Sequence, residues 1–307
     1  MDKAFGRASK ITKRGPTSID GRRLTALARI TASGDIVTST LSGYVQRFPR
    51  VDKKDDFFPQ LVDLVIGVDD YKKSLGALRW VTGRVDRLKN ETVRNIRRSK
   101  DVAYIESARR GFYGRMTSYL NQISDDLLFL QDAKNKFRQF PTVRPNVPTA
   151  VIAGFPNVGK SSLMKELSTA TPEIAPYPFT TKGIVIGHVE DGWNTYQIID
   201  TPGLLDRSFE DRNDIEKQAV LALRYLTNVM VFMLDPSESC GYSMEKQNAL
   251  LESVQKGFEG VDIIVVESKS DLKKTGSGNI FFSTETGENL EELRSLILGK
   301  LRAMAVV

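Results

Sequence analysis

The 307-residue sequence contains one cysteine and one histidine. With Cys240 alone, neither an intramolecular disulfide nor a cysteine-based zinc cluster can form. With His188 alone, histidine metal sites and histidine-dependent triads are disfavoured; both residues read as structural, His188 at a strand end and Cys240 in a loop. No apolar run approaches the roughly eighteen residues of a membrane span. The start, Met1-Asp2-Lys3-Ala4-Phe5, passes into Arg7, Lys10, Lys13 and Arg14 without an apolar core, so no secretory signal is expected. Internal repeats and low-complexity tracts are also missing. These absences lead to the expectation of a soluble, cytoplasmic protein without membrane partners.

What the chain does have is charge, unevenly placed. It carries 44 Lys and Arg against 38 Asp and Glu, a net of +6. Residues 1–149 hold 29 basic and 16 acidic side chains, near +13, and residues 150–307 hold 15 and 22, near −7. A basic half beside an acidic half predicts two domains with separate tasks. Hydrophobic content of 40% and charged content of 27% exclude a largely disordered or fibrous chain.

The basic half reads as helical. Residues 1–23, rich in Gly, Ser and Thr, read as a flexible basic arm. Weak helical signals from Leu24 to Phe48 are interrupted by Gly34 and Gly43, and residues 55–66 suit a short helix. Leu75, Leu78, Val85 and Leu88 recur at helical spacing within 69–99. Met116, Leu120, Ile123, Leu127, Leu130 and Phe137 do so within 101–140, which predicts a second long helix packed against the first. Residues 24–140 thus form an expected basic helical bundle. Pro141, Pro145 and Pro148 mark a linker at 141–148. From 149 to 307 short apolar runs alternate with helical segments. That grammar predicts an α/β domain with a mostly parallel sheet and helices on both faces.

The motifs lie in this second half. Gly154-Phe155-Pro156-Asn157-Val158-Gly159-Lys160-Ser161-Ser162 fits a phosphate loop between a strand and a helix. Its backbone N–H groups can close on phosphate oxygens, Lys160 can neutralise the β and γ phosphates, and the Ser161 hydroxyl can ligate Mg²⁺. Asp200-Thr201-Pro202-Gly203 ends a strand, where Asp200 can hold Mg²⁺ through water and Gly203 can offer its N–H to a γ-phosphate. Thr180 and Thr181 lie in the intervening loop. Thr181 is the better placed to close on Mg²⁺ and γ-phosphate, and with Lys160 and Gly203 it forms the expected catalytic set. In Ser268-Lys269-Ser270-Asp271, the Asp271 carboxylate can accept from guanine N1–H and N2–H₂, and the Lys269 stem can cover the base. Near Ser283-Thr284 a backbone N–H can reach guanine O6.

In order and spacing these segments resemble the five GTPase motifs, over about residues 149–303. The phosphate loop with Tyr177-Pro178-Phe179-Thr180-Thr181 resembles the Obg-related group. Residues 200–218 (DTPGLLDRSFEDRNDIEKQ) and 239–247 (SCGYSMEKQ), with a basic helical half in front, resemble the Nog family of nucleolar GTP-binding proteins and their archaeal relatives. The chain ends just after the last expected helix and is similar to a short, archaeal-type member. Obg proper fits less well, because residues 1–149 hold only ten of the 23 glycines, without period. The developmentally regulated group fits less well too, because no room follows residue 303 for its extra domain.

The resemblance implies GTP and GDP binding with Mg²⁺, and a role on the large ribosomal subunit precursor with its rRNA and ribosomal proteins, as a monomer. It also implies a K⁺ site at Asn157, whose other reading is a turn residue. Two departures stand out. Ser268 replaces the asparagine usual in the guanine motif, which implies weaker binding with guanine selectivity retained through Asp271. Leu204 stands where Ras-like enzymes carry a water-orienting glutamine, which implies slow intrinsic hydrolysis. In the basic half, Arg87, Arg94 and Arg98 align at steps of 7 and 4, Arg84, Arg97 and Lys100 lie nearby, and Arg109, Arg110 and Arg115 follow. These predict contact with RNA phosphates, read by shape, since no aromatic RNA-binding signature is visible. The alternatives are a GTP-dependent placeholder with incidental hydrolysis and an Obg-like translation or stress GTPase acting on mature ribosomes.

Overall fold

The computed structural model describes residues 2–51, 57–141, 143–144, 146–178, 180, 183–207 and 212–305. The chain forms two compact units, one of residues 1–50 and 66–136, the other of residues 51–65 and 137–307.

The first unit is helical. Helix α1 (Asp2–Ser9) packs on α2 (Ser18–Arg47), which packs on α4 (Val68–Arg98) and α5 (Val102–Gln122); α6 (Ser124–Phe137) follows. The segment read as a flexible arm is instead folded. Ala8 is buried, the Arg29 guanidinium donates to the Ile11 and Ser9 carbonyls at 2.9 and 3.0 Å, and Thr17 caps α2 by accepting from the Asp20 N–H. The Ser9 hydroxyl bonds back to the Gly6 carbonyl and the Thr17 hydroxyl is a helix cap. Nor do Gly34 and Gly43 interrupt the helix. A side chain at Gly34 would begin 2.9 Å from Lys89 Cδ, so the glycine makes room for Lys89, which pairs with Asp35 at 2.8 Å and Asp86 at 2.7 Å. The second long helix divides at Ile123, where Asp125 and Asp126 supply the acidic first turn of α6.

The second unit is a seven-stranded sheet in the order β2-β3-β4-β1-β5-β6-β7. Its strands are β1 (Thr149–Ala153), β2 (Glu173–Ala175), β3 (Ile184–Asp191), β4 (Asn194–Asp200), β5 (Val229–Leu234), β6 (Asp262–Glu267) and β7 (Ile280–Phe281). Pairing is parallel except at β2–β3 and β3–β4. Strands β1 and β5 are buried throughout because core clusters lie on both faces. Helices α7 (Lys160–Leu167), α8 (Asp214–Arg224), α9 (Met244–Gly257) and α10 (Leu290–Ala305) complete the expected alternation. Asn213 and Glu216 form a reciprocal capping box at the start of α8.

Two boundaries differ from the sequence reading. Helix α3 (Phe57–Val65) belongs with the sheet unit, not the bundle. Phe57 and Leu61 are buried in the cluster that holds Tyr177, Ala219 and Leu223, and Phe58 stacks on Phe137 with ring centroids 5.9 Å apart. The proline-spaced stretch is no free linker either. Arg144 exchanges backbone hydrogen bonds with the buried Gln197 side chain at 3.0 and 2.8 Å, which fastens it to β4. No helix among the described residues is long and apolar enough to cross a membrane.

Removing the Phe57 ring is expected to cost about 3–5 kcal/mol, as for other buried aromatics. In Phe57→Ala, amide hydrogen exchange should accelerate in α8 and stay unchanged in α2 and α4; the reverse pattern would reassign α3 to the bundle.

Candidate nucleotide-binding site

Register fixes the site. Ile152 of β1 pairs with Asp200 of β4, Ala153 with Phe232 of β5, and Leu234 of β5 with Glu267 of β6. The loops after these four strands therefore emerge at one edge of the sheet. The phosphate loop turns sharply there: Gly154, Asn157 and Gly159 have φ of +136°, +63° and +101°. At Gly154 a Cβ would lie 2.6 Å from the Met233 carbonyl, so backbone crowding and the dihedral both require glycine. Asn157 is exposed, and its left-handed conformation alone accounts for an asparagine. Phe155 is braced by stacking on Tyr242 at 4.1 Å.

Lys160 is nearly buried, and its ammonium donates to the Gly154 and Phe155 carbonyls, both at 2.8 Å. Burial holds its pKa below the ordinary lysine value, against the pull of the Asp200 and Asp206 carboxylates. Ser161 Oγ donates to Asp200 Oδ2 at 3.0 Å. Asp200 is 1% exposed, and burial pushes its carboxyl upward, partly offset by Lys160 and by the Ser161 hydroxyl. Its other oxygen, Oδ1, is buried without a hydrogen-bond partner. A hydroxyl beside a buried, half-satisfied carboxylate is a donor set that fits a hard divalent cation such as Mg²⁺.

A cleft of about 540 Å³ opens beside this edge. It is lined by Asn157, Val158, Gly159, Lys160, Ser161 and Ser162 and by Ser268, Lys269, Asp271 and Thr284, together with Ser239, Leu272, Phe282 and Glu285. The phosphate motif and the base motif, more than a hundred residues apart, thus share one cavity. Phe155, Pro156, Thr180, Asp200, Gly203 and Ser283 stand outside that lining. Thr180 spends its hydroxyl in a turn, donating to the Tyr177 carbonyl at 2.8 Å and accepting from the Gly183 N–H. Thr181 lies outside the described residues. Ser283 is buried and donates to the Asp271 carboxylate, so it braces the base motif. Ser268 Oγ donates to the Leu234 carbonyl at 3.0 Å and ties its own loop to β5.

Three features escaped the sequence reading. Asp235, fully buried at the end of β5, accepts from Lys269 Nζ at 2.8 Å and from the Cys240 N–H at 2.9 Å. Burial would raise this carboxyl, but the bonds from Lys269 and Ser237 outweigh it and leave the pKa below the ordinary value. Asp235 therefore sets the position of the Lys269 head, while the backbone at Lys269 takes a φ of +57°. The available signal was an aspartate closing an apolar strand, the same pattern as Asp200. Tyr177 is the second: its buried hydroxyl donates to the Ala219 carbonyl at 2.7 Å, anchoring the loop before β3 to α8. The third is Asp206, whose carboxylate accepts from the Gly203 N–H at 2.9 Å. An anionic side chain thus occupies the donor expected to meet a γ-phosphate. Leu204, the next residue, is 3% exposed and points into the core.

If the Asp206 carboxylate competes with a γ-phosphate, Asp206→Asn should tighten GTP binding relative to GDP by about three- to tenfold, the range for one charge-assisted bond and one removed repulsion. Parallel titrations with both nucleotides check this; an unchanged ratio would remove Asp206 from nucleotide discrimination.

The chain is 42% identical over 244 residues to an uncharacterized protein of Methanocaldococcus jannaschii, covering 80% of this chain and 68% of that one. It is 33% identical over 255 residues to nucleolar GTP-binding protein 1 of Arabidopsis thaliana, covering 83% of this chain but 37% of the plant protein. A solved Plasmodium falciparum protein, described as a putative nucleolar GTP-binding protein 1, is similar at 32% identity and a TM-score of 0.48, over 54% of this chain and 92% of that one. Residues 1–144 match the NOG1 N-terminal helical domain, and residues 214–271 match the family Nucleolar GTP-binding protein 1 (NOG1). The chain belongs to the nucleolar GTP-binding protein 1 family.

Proposed function

We propose that the chain is a GTP-hydrolysing assembly factor for the large ribosomal subunit, a cytoplasmic monomer whose helical unit contacts rRNA. The observation that carries the nucleotide part is the shared cleft, which Asn157–Ser162 line together with Lys269, Asp271 and Thr284. In this reading the Gly159 and Lys160 backbone and the N-terminus of α7 receive the β-phosphate. Lys160 exchanges its carbonyl partners for phosphate oxygens, and Asp271, braced by Ser283, accepts from guanine. Ser161 and Asp200, together with Thr181, would hold Mg²⁺, which would supply positive charge against the phosphates. Gly203 turns its N–H from Asp206 to the γ-phosphate, and that exchange couples nucleotide state to the loop that follows.

The buried Leu204 offers no hydrogen bond to an attacking water, which supports slow intrinsic hydrolysis. Asn157, exposed at the loop tip, is the residue for a stimulating K⁺. The same Leu204 favours a second reading, a GTP-dependent placeholder whose hydrolysis is incidental. The ribosomal part rests on the family resemblance and on the surplus of arginine in residues 1–149, with Arg87, Arg94 and Arg98 exposed along α4.

Guanine nucleotides should compete for the cleft and ATP should not, and Asp271→Ala should remove that preference; competition by ATP equal to that by GTP would refute the base assignment. Single-turnover hydrolysis should be slow for the isolated chain, faster in K⁺ than in Na⁺, and accelerated by large-subunit precursors. An unaccelerated rate with precursors would select the placeholder.

A further inference from the structure

Along α4 a row of exposed residues runs opposite the buried face. Leu78, Val81, Val85, Leu88 and Ile96 are buried, whereas Trp80, Arg84, Arg87, Arg94 and Arg98 are exposed. Steps of 7, 7 and 4 from Trp80 through Arg87 and Arg94 to Arg98 keep these residues on one side of the helix. The row is about 27 Å long at the helical rise of ~1.5 Å per residue. Asp86, at the edge of the row, is already paired with Lys89, which leaves Glu91 as the carboxylate among these arginines.

Trp80 keeps 46% of its surface exposed, although a tryptophan is ordinarily among the more buried residues. The indole is also held in place. The Arg84 guanidinium sits 5.3 Å from the ring centroid, and Tyr119 of α5 meets the ring edge-on at 6.0 Å and 75°. Trp80 and Tyr119 are far apart in sequence and meet because α4 and α5 are packed neighbours. Gly83, one turn beyond Trp80, is exposed, and nothing lies within 4 Å of where its Cβ would be. A mid-helix glycine costs about 1 kcal/mol relative to alanine. Internal packing does not call for it, and it leaves the backbone open beside the indole.

A preorganised, exposed indole within a row of arginines has the chemistry of a single-stranded nucleic-acid site: aromatic stacking for a base and guanidinium groups for the phosphates that follow. We infer that Trp80 is a stacking platform for an unpaired base of an RNA strand whose phosphates run along Arg84, Arg87, Arg94 and Arg98. The inference rests on the RNA-facing reading of the helical unit and sharpens it. The site takes single-stranded RNA, and recognition is not by helical shape alone.

The chain has two tryptophans, so Trp193→Phe leaves Trp80 as the sole indole reporter. That full-length variant is titrated with a single-stranded RNA oligonucleotide, with a duplex of the same sequence, and with a polyglutamate peptide. Single-stranded RNA should quench Trp80 emission. Trp80→Ala should weaken single-strand binding about tenfold, Trp80→Phe should weaken it less, and duplex binding should hold. If Trp80→Ala leaves single-strand affinity intact while Arg87→Glu with Arg94→Glu abolishes it, the stacking platform is overturned and the RNA reading survives. Quenching by polyglutamate but not by RNA assigns the surface to an acidic protein and overturns the inference. Binding of neither RNA by any form removes the RNA reading as well.

Discussion

The parallel pairing of β1 with β4 is the constraint on which the site depends. Its register sets Ile152 opposite Asp200, so the phosphate loop and the strand-end carboxylate emerge side by side. The Ser161–Asp200 hydrogen bond, the buried Lys160 and the unsatisfied Asp200 Oδ1 all follow from that placement. A one-residue slip would reverse the faces of β4 and separate the pair. The same edge receives Asp235 and Lys269 from β5 and β6, which is why one cleft serves two distant motifs.

The two units place their charge differently. The sheet unit ties its key charges into local networks: buried Lys160 on loop carbonyls, buried Asp235 on Lys269, and exposed Asp271 on Ser283. Each is satisfied in the absence of nucleotide, and the carbonyl partners of Lys160 are ones that phosphate oxygens could replace. The helical unit instead leaves many arginines on the surface, among them Arg84, Arg87, Arg94 and Arg98. The aromatic pair on α4 and α5 adds a base-sized element to that surface.

Much of this was legible in the sequence, and the exceptions have physical reasons. The fully buried strands β1 and β5 announce themselves as apolar runs, and glycines at 154, 159 and 203 mark turns that only a permissive backbone makes. Edge strand β2 carries an exposed Glu173 and Ile174, so burial leaves no pattern to read. The spacing of α3 shows that it must pack on something, not on what; Tyr177 and α8 supply the answer 120 to 160 residues later. Ser, Thr and Gly near the start look alike whether they are loose or serve as caps, and the Arg29 bonds decide between them. Asp235 was visible as an aspartate closing a strand, but its purpose is set by Lys269, 34 residues on. The meeting of Trp80 and Tyr119 is likewise a product of helix packing and not of local pattern.

The central claim is that nucleotide state in the sheet unit governs the chain's hold on a ribosomal precursor. Cosedimentation of the full chain with large-subunit precursors and with mature large subunits tests it most directly, comparing a non-hydrolysable GTP analogue, GDP and no nucleotide. Association with precursors is expected in the GTP-analogue form and release with GDP. Equal partitioning in every nucleotide state, or a preference for mature subunits, would contradict it.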